Sequence, residues 1–176
     1  MKRTRLKVNG AYVYEIDRYE DDRGYFQEVF STQKYEADFW KVCQTNVSYS
    51  EKNVVRGLHV APFAKLCTCI KGRLFDVVVD VRKMSTTYLQ WDAVWLDENN
   101  KKQLFVPAYC AHGFFAAENG TILLYSQDGL YNPREEWELK WDDPLLGVEW
   151  PEADEYKLSE KDRAAKGIAE HHGIEA

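Results

Sequence analysis

The sequence predicts an all-β protein, a jelly-roll sandwich of short strands with short helices packed outside it, and three observations carry that expectation. Turn signals recur at short intervals: Asn9-Gly10, Asp22-Arg23-Gly24, Pro62, Lys71-Gly72, Asn99-Asn100, Asn119-Gly120 and Asp128-Gly129. The stretches between them are strand-length and rich in β-branched and aromatic residues. No internal repeat, low-complexity tract or Pro/Gly-rich linker divides the 176 residues, so a single domain over 1–176 is expected.

In chain order, Asp21 to Glu28 combines a turn with an alternating strand, and a helix is predicted over Gln33–Trp40. Gln44, Asn46 and Ser48 then share one strand face, which is either a solvent face or the polar lining of a pocket. Further strands are predicted over Val54–Val60, Leu66–Ile70, Leu74–Val81, Leu89–Leu96, Gln103–Val106, Phe114–Ala117 and Ile122–Ser126. Leu74–Val81 is the clearest, with Phe75, Val77, Val79 and Val81 on a core face and Asp76 and Asp80 on the opposite one. Near the end, Ser159 precedes Glu160-Lys161-Asp162 as an N-cap with an acidic third position, so a second helix starts there.

A formal net charge of −6 and the lack of a long Lys/Arg run speak against nucleic acid, while a local basic pocket can still hold a small phosphorylated ligand. The basic segment Met1–Lys7 is not followed by the apolar core of a secretory signal, and no stretch approaches a membrane span. No membrane association is therefore expected, and the cytoplasm is the expected location. Cys43, Cys67, Cys69 and Cys110 lack paired zinc-type spacing and read as reduced, structural thiols, with Cys67 and Cys69 on one strand face.

Chemistry concentrates around Arg56-Gly57-Leu58-His59 and Lys65. If the flanking strands pair as a hairpin across Ala61-Pro62-Phe63-Ala64, a base and a cation meet at roughly 5 Å between Cβ atoms. The alternative is a structural histidine and a solvated lysine. Strict alternation puts Arg56 and His59 on opposite faces, but Gly57 between them can mark a bulge that re-aims its neighbours. Arg56 could grip a phosphate bidentately or form a surface ion pair. His112, Tyr131 and Asp162 each have a structural reading too: a hydrogen-bonded core histidine, a packing aromatic and a helix N-terminal charge. Base, cation and phenol together could remove a proton beside a ketone, hold the enolate and return a proton from the other side.

Taken in order, these motifs resemble the dTDP-4-keto-6-deoxyglucose 3,5-epimerase family, from about Asp21 to Asp162. The resemblance rests on Asp22-Arg23-Gly24-Tyr25-Phe26-Gln27-Glu28, Gln44-Thr45-Asn46-Val47-Ser48, Arg56-Gly57-Leu58-His59, Ala111-His112-Gly113-Phe114, Tyr131-Asn132-Pro133 and Leu158-Ser159-Glu160-Lys161-Asp162. It implies a homodimeric jelly roll of the cupin superfamily, a nucleotide-diphospho-4-keto sugar as substrate, and neither cofactor nor metal. It also implies His59 as base oriented by Asp162, Lys65 near the C4 oxygen, and Tyr131 as acid on the opposite face. Arg23, Phe26, Glu28, Gln44, Asn46, Arg56 and His112 then surround the substrate. The segment Val60 to Ala64 departs from the family, whose His motif continues with an aromatic and a glutamine before a longer loop. Three rivals stay open: a metal-dependent cupin, which needs several convergent ligands; a sugar 3,4-ketoisomerase; and a non-catalytic sugar-nucleotide binder.

Overall fold

The computed structural model describes residues 1–35 and 41–173 and stacks two antiparallel sheets face to face. The six-stranded sheet runs β1 (Lys2–Arg5), β2 (Tyr12–Glu15), β10 (Lys102–Val106), β7 (Lys65–Lys71), β12 (Thr121–Gln127) and β5 (Gln44–Ser50). The five-stranded sheet runs β13 (Trp137–Glu138), β6 (Val55–Val60), β11 (Ala111–Ala116), β8 (Arg73–Val79) and β9 (Trp91–Asp97). β3 (Arg18–Asp21) and β4 (Gly24–Gln27) form a hairpin of their own. From β5 to β8, and again from β9 to β13, each successive strand changes sheet, which is the jelly-roll winding that the spacing of turns predicts.

Three apolar layers hold the sandwich. Cys67, Cys69, Leu104 and Leu123 from one sheet meet Leu74, Val78, Leu96 and Phe114 from the other in the space between. Leu58, Val60, Val77 and Val79 point out of the five-stranded sheet and are covered by Leu139, Leu146 and Ile168 of the C-terminal segment. Leu66 and Phe105 point out of the six-stranded sheet against Tyr14 and Tyr35. Because β8 is buried on both faces from Asp76 onward, the reading of it as one core face and one acidic face needs correction. Asp76 and Asp80 are as buried as the valines, both at 0% exposure. Asp76 accepts a hydrogen bond from His112 on the neighbouring strand. The Asp80 carboxylate accepts from Arg82 Nε, Ser85 Oγ and Thr87 Oγ1. Burial alone would raise its pKa, but these donors outweigh it and hold it down to about 2.

Three other expectations change. β6 and β7 are not a hairpin: they lie in opposite sheets, so Ala61 to Ala64 crosses the edge of the sandwich instead of turning within one sheet. Of the expected helix over Gln33–Trp40, residues 33 and 34 form a turn, and 36–40 lie outside the described residues. The C-terminal helix is present but short: α1 (Glu160–Arg163) is capped by Ser159 Oγ, which accepts from the Asp162 backbone N–H at 3.1 Å. A second short helix, α2 (Ile168–His172), packs Ile168 outside the five-stranded sheet.

Candidate active site

The bulge at Gly57 decides what faces the interior. Between β6 and β11 the register pairs Arg56 with Phe114 and His59 with His112, so Gly57 and Leu58 together oppose the single residue Gly113. The extra residue cancels the alternation and turns both Arg56 and His59 inward, where both line the same cavity. Only glycine fits there: Gly57 has φ +134°, and a Cβ on it would lie 2.6 Å from the Gly113 Cα.

That cavity, of about 470 Å³, lies between the sheets and shares Arg56, His59, Lys65 and Tyr125 with a second lobe of about 380 Å³. The five-stranded sheet and the C-terminal segment contribute His59, Glu138, Ser159, Lys161 and Asp162, and the six-stranded sheet contributes Lys65, Tyr125, Gln127, Gln44 and Asn46. His59 and Lys65 therefore line one cavity, but from opposite sheets, and not as neighbours in the expected hairpin.

His59 Nε2 and Asp162 Oδ1 are 2.7 Å apart, with Asp162 5% and His59 36% exposed. Burial would raise the Asp162 pKa, yet the hydrogen bonds from His59, from Ser159 Oγ and from the Gly57 N–H hold it below the ordinary carboxylate value. An ionised Asp162 is an acceptor for Nε2–H, and the tautomer that this bond selects carries its ring lone pair on Nδ1. Lys65 is 7% exposed. Burial pushes its pKa down, while Cys67, Glu136 and Asp76 pull it back. His112, on the inner face, is held by Asp76 Oδ1 at 2.8 Å, and burial pushes its pKa down against the opposing pull of Asp76.

Gln44, Asn46 and Ser48 resolve as pocket lining: the first two face the larger lobe and Ser48 the smaller. They belong to a chain of amides in which Gln44 Nε2 donates to Asn46 Oδ1 and Asn46 Nδ2 donates to Gln127 Oε1. Gln127 Nε2 donates in turn to the Gly129 carbonyl. Gln44 Oε1 also accepts from the Tyr131 backbone N–H at 3.1 Å, which pins the segment that follows β12. Tyr131 lines the cavity at its mouth and is 56% exposed.

Arg23, Phe26 and Glu28 are not brought to this cavity. Arg23 pairs with Asp21 at 2.6 Å and is 86% exposed, Phe26 lies open on β4, and Glu28 pairs with Lys34 at 2.8 Å. The sequence reading also lacked Tyr125, Phe63, Glu136, Glu138, Gln127 and Lys161, all of which line the larger lobe. The alternation of Leu123, Tyr125 and Gln127 along β12 was the available signal for two of them. Phe63 reaches the cavity from the short crossover, packed where a Cβ on Gly129 would lie 2.8 Å from its own Cβ.

A jelly roll whose interior sets an imidazole–carboxylate pair against a buried ammonium and phenols defines a cupin-like protein equipped for acid–base chemistry on a ligand of sugar-nucleotide size. The profile of the dTDP-4-dehydrorhamnose 3,5-epimerase family matches residues 5–170, and the chain belongs to that family. It is 38% identical over 174 residues to a dTDP-4-dehydrorhamnose 3,5-epimerase of Methanothermobacter thermautotrophicus, covering 95% of this chain and 94% of the relative. Among solved structures, an epimerase from Mycobacterium tuberculosis superposes with TM-score 0.93 at 36% identity, over 99% of this chain and 92% of that one. A dTDP-6-deoxy-D-glucose-3,5-epimerase from Legionella pneumophila, in complex with dTDP-4-keto-L-rhamnose, superposes with TM-score 0.90 at 34% identity, over 95% and 92%.

Proposed function

We propose that the protein epimerises C3 and C5 of a dTDP-4-keto-6-deoxy sugar by removing the proton beside the C4 ketone and returning one from the opposite face of the ring. The observation that carries this reading is the 2.7 Å His59–Asp162 pair facing Lys65 and Tyr125 across one cavity. In the proposed reaction Asp162 orients the ring, His59 Nδ1 takes the proton, and the Lys65 ammonium stabilises the enolate oxygen. Arg56, Gln44 and Asn46 offer the donors for the diphosphate. The ketoisomerase and the non-catalytic binder gain no support from the relatives, which carry the name epimerase.

For the acid we favour Tyr125 over Tyr131. Tyr125 is half-buried on β12, pairs in register with Asn46 and Cys67, and lines both lobes beside His59 and Lys65. Burial, then Cys67 and Glu136, push its pKa up against the opposing pull of Arg56, so the phenol stays protonated and able to donate. Tyr131 is more exposed and is suited to closing the mouth over the sugar.

A homodimer fits the unused residues. Tyr19, Tyr25 and Phe26 are 61%, 55% and 70% exposed on the β3–β4 hairpin, an apolar surface that a second copy can cover while Arg23 and Phe26 approach its nucleotide. The nucleotide-sugar substrate and four unpaired cysteines suit the cytoplasm. The test is proton NMR in deuterated buffer with thymidine, uridine, guanosine and cytidine diphospho-4-keto-6-deoxy sugars. Label at C3 and C5 of the thymidine compound with formation of the epimer is expected. Binding without label for every nucleotide would reject the catalytic reading.

A further inference from the structure

We propose that Cys67, Asp76 and His112 form a site for a divalent transition-metal ion of the zinc class, entered from the interior cavity, and that its occupancy switches the enzyme off. Among the described residues they are the one group of three potential ligands whose donor atoms converge, all lying within 4.8 Å of one another. They come from β7, β8 and β11, so both sheets hold the group and no loop has to move to bring them together.

The geometry is close to what such an ion needs. Bond lengths of about 2.0–2.3 Å in a tetrahedron set ligand–ligand edges of roughly 3.4–3.6 Å. Cys67 Sγ and His112 Nε2 are already 3.5 Å apart. His112 Nε2 and Asp76 Oδ1, at 2.8 Å, have to open by about half an ångström once the ion replaces the shared proton. Asp76 is fully buried, and its second oxygen, Oδ2, has no hydrogen-bond partner among the described residues. A buried carboxylate oxygen without a partner is rare, and a cation would satisfy it. Thiolate, imidazole and carboxylate together suit zinc, cobalt or iron and not magnesium or calcium, and the two anions neutralise a dication.

His112 lines the smaller lobe, so the fourth coordination position opens toward water or substrate oxygen. Binding releases the Cys67 thiol proton to solvent, and the proton that His112 Nε2 shared with Asp76 moves to Nδ1, so the imidazole stays neutral as a ligand. The cost falls on catalysis. Lys65 lies two residues before Cys67 on the same inward face of β7, and Asp76 attracts its ammonium. A neutral metal cluster in place of the free carboxylate removes that attraction from the cation that stabilises the enolate.

The test uses the full-length protein freed of metal and kept reduced. Titration with cobalt(II) should produce a near-ultraviolet thiolate-to-cobalt charge-transfer band together with tetrahedral ligand-field bands, and one equivalent of zinc should abolish both. Zinc should inhibit solvent-deuterium exchange into the 4-keto sugar nucleotide, and a chelator should restore it. Cys67→Ala should keep basal exchange within about twofold, lose the charge-transfer band and weaken zinc affinity and inhibition by about tenfold or more. A cobalt spectrum of the wild type without a thiolate band would overturn the proposal. So would equal zinc inhibition of Cys67→Ala, which would put the ion elsewhere, on His59 and Asp162 for instance. The cobalt spectrum needs no turnover, so it reads the site even if the epimerase assignment fails.

Discussion

Replacing Asp162 with Asn tests the core of the mechanism, because it changes one oxygen to an amide and almost nothing in volume. The Asp162 carboxylate receives three donors: His59 Nε2–H at 2.7 Å, Ser159 Oγ–H at 2.8 Å and the Gly57 N–H. If the Asn oxygen stays toward His59, a charge-assisted bond worth about 1.5–3 kcal/mol becomes a neutral one worth about 0.5–1.5, a loss of about 1–1.5 kcal/mol. At about 1.36 kcal/mol per decade that is roughly a 5- to 10-fold lower rate. If the amide NH₂ turns toward His59 instead, Nε2 has to accept and the imidazole proton moves to Nδ1, the atom required as base. The larger loss, about 10²–10⁴, then applies. Rates of deuterium incorporation and of epimer formation, measured by proton NMR, are expected to fall together, with nucleotide affinity by calorimetry changed less than about threefold. A folded Asp162→Asn variant within about threefold of wild-type exchange would show that His59 is not the base or is not held by this carboxylate.

For the acid, Tyr125→Phe should keep exchange at one carbon while net inversion drops by about 10²-fold, and Tyr131→Phe should lower inversion only several-fold. The reverse order in the same NMR assay would move the acid to Tyr131. Gly57→Ala forces a Cβ to 2.6 Å from the Gly113 Cα at φ +134° and should cost about 2–4 kcal/mol in urea unfolding. Unchanged stability would mean that the bulge is not held tightly. Asp80 is held at about 2, below its ordinary 3.8, so its contribution is present above that ordinary value and is lost as pH falls toward about 2. The difference is on the order of 2–3 kcal/mol, and Asp80→Asn should be less stable at neutral pH and lose that part of the acid dependence. A parallel pH–stability curve for the variant would contradict it.

Much of the architecture is legible in local pattern. Val55–Val60 and Arg73–Val79 announce themselves as strand-length runs rich in β-branched and apolar residues, and Lys71-Gly72 and Asn119-Gly120 by turn chemistry. What is not legible depends on which sheet a strand joins. The four residues from Ala61 to Ala64 look like a hairpin loop, but β6 and β7 each pair with other strands and lie in opposite layers. Asp76 looks solvent-facing because its partner His112 is 36 residues away. Tyr131 carries distinctive Asn-Pro neighbours, whereas Tyr125 is marked only by sharing a face with Leu123 and Gln127. Arg23 and Phe26 belong to a surface whose partner is a second molecule in the proposed dimer, so no pattern within one chain places them at the cavity.

The division between sheets also explains why this scaffold suits inversion. The five-stranded sheet presents His59 and the six-stranded sheet presents Lys65 and Tyr125, with the cavity between them. A sugar ring lying in that gap has one sheet over each face. In the proposed mechanism a base and an acid on separate sheets therefore reach opposite faces without the ring turning over, whereas an isomerase that moves a proton along a single face would need both groups on one sheet. Lys65 and Tyr125 stand on adjacent strands, β7 and β12, so in the proposed mechanism the cation that holds the enolate is beside the phenol that quenches it. The bulge at Gly57 completes the arrangement, because strict alternation would put Arg56 and His59 on opposite faces of β6, and the proposed diphosphate site would be parted from the proposed base.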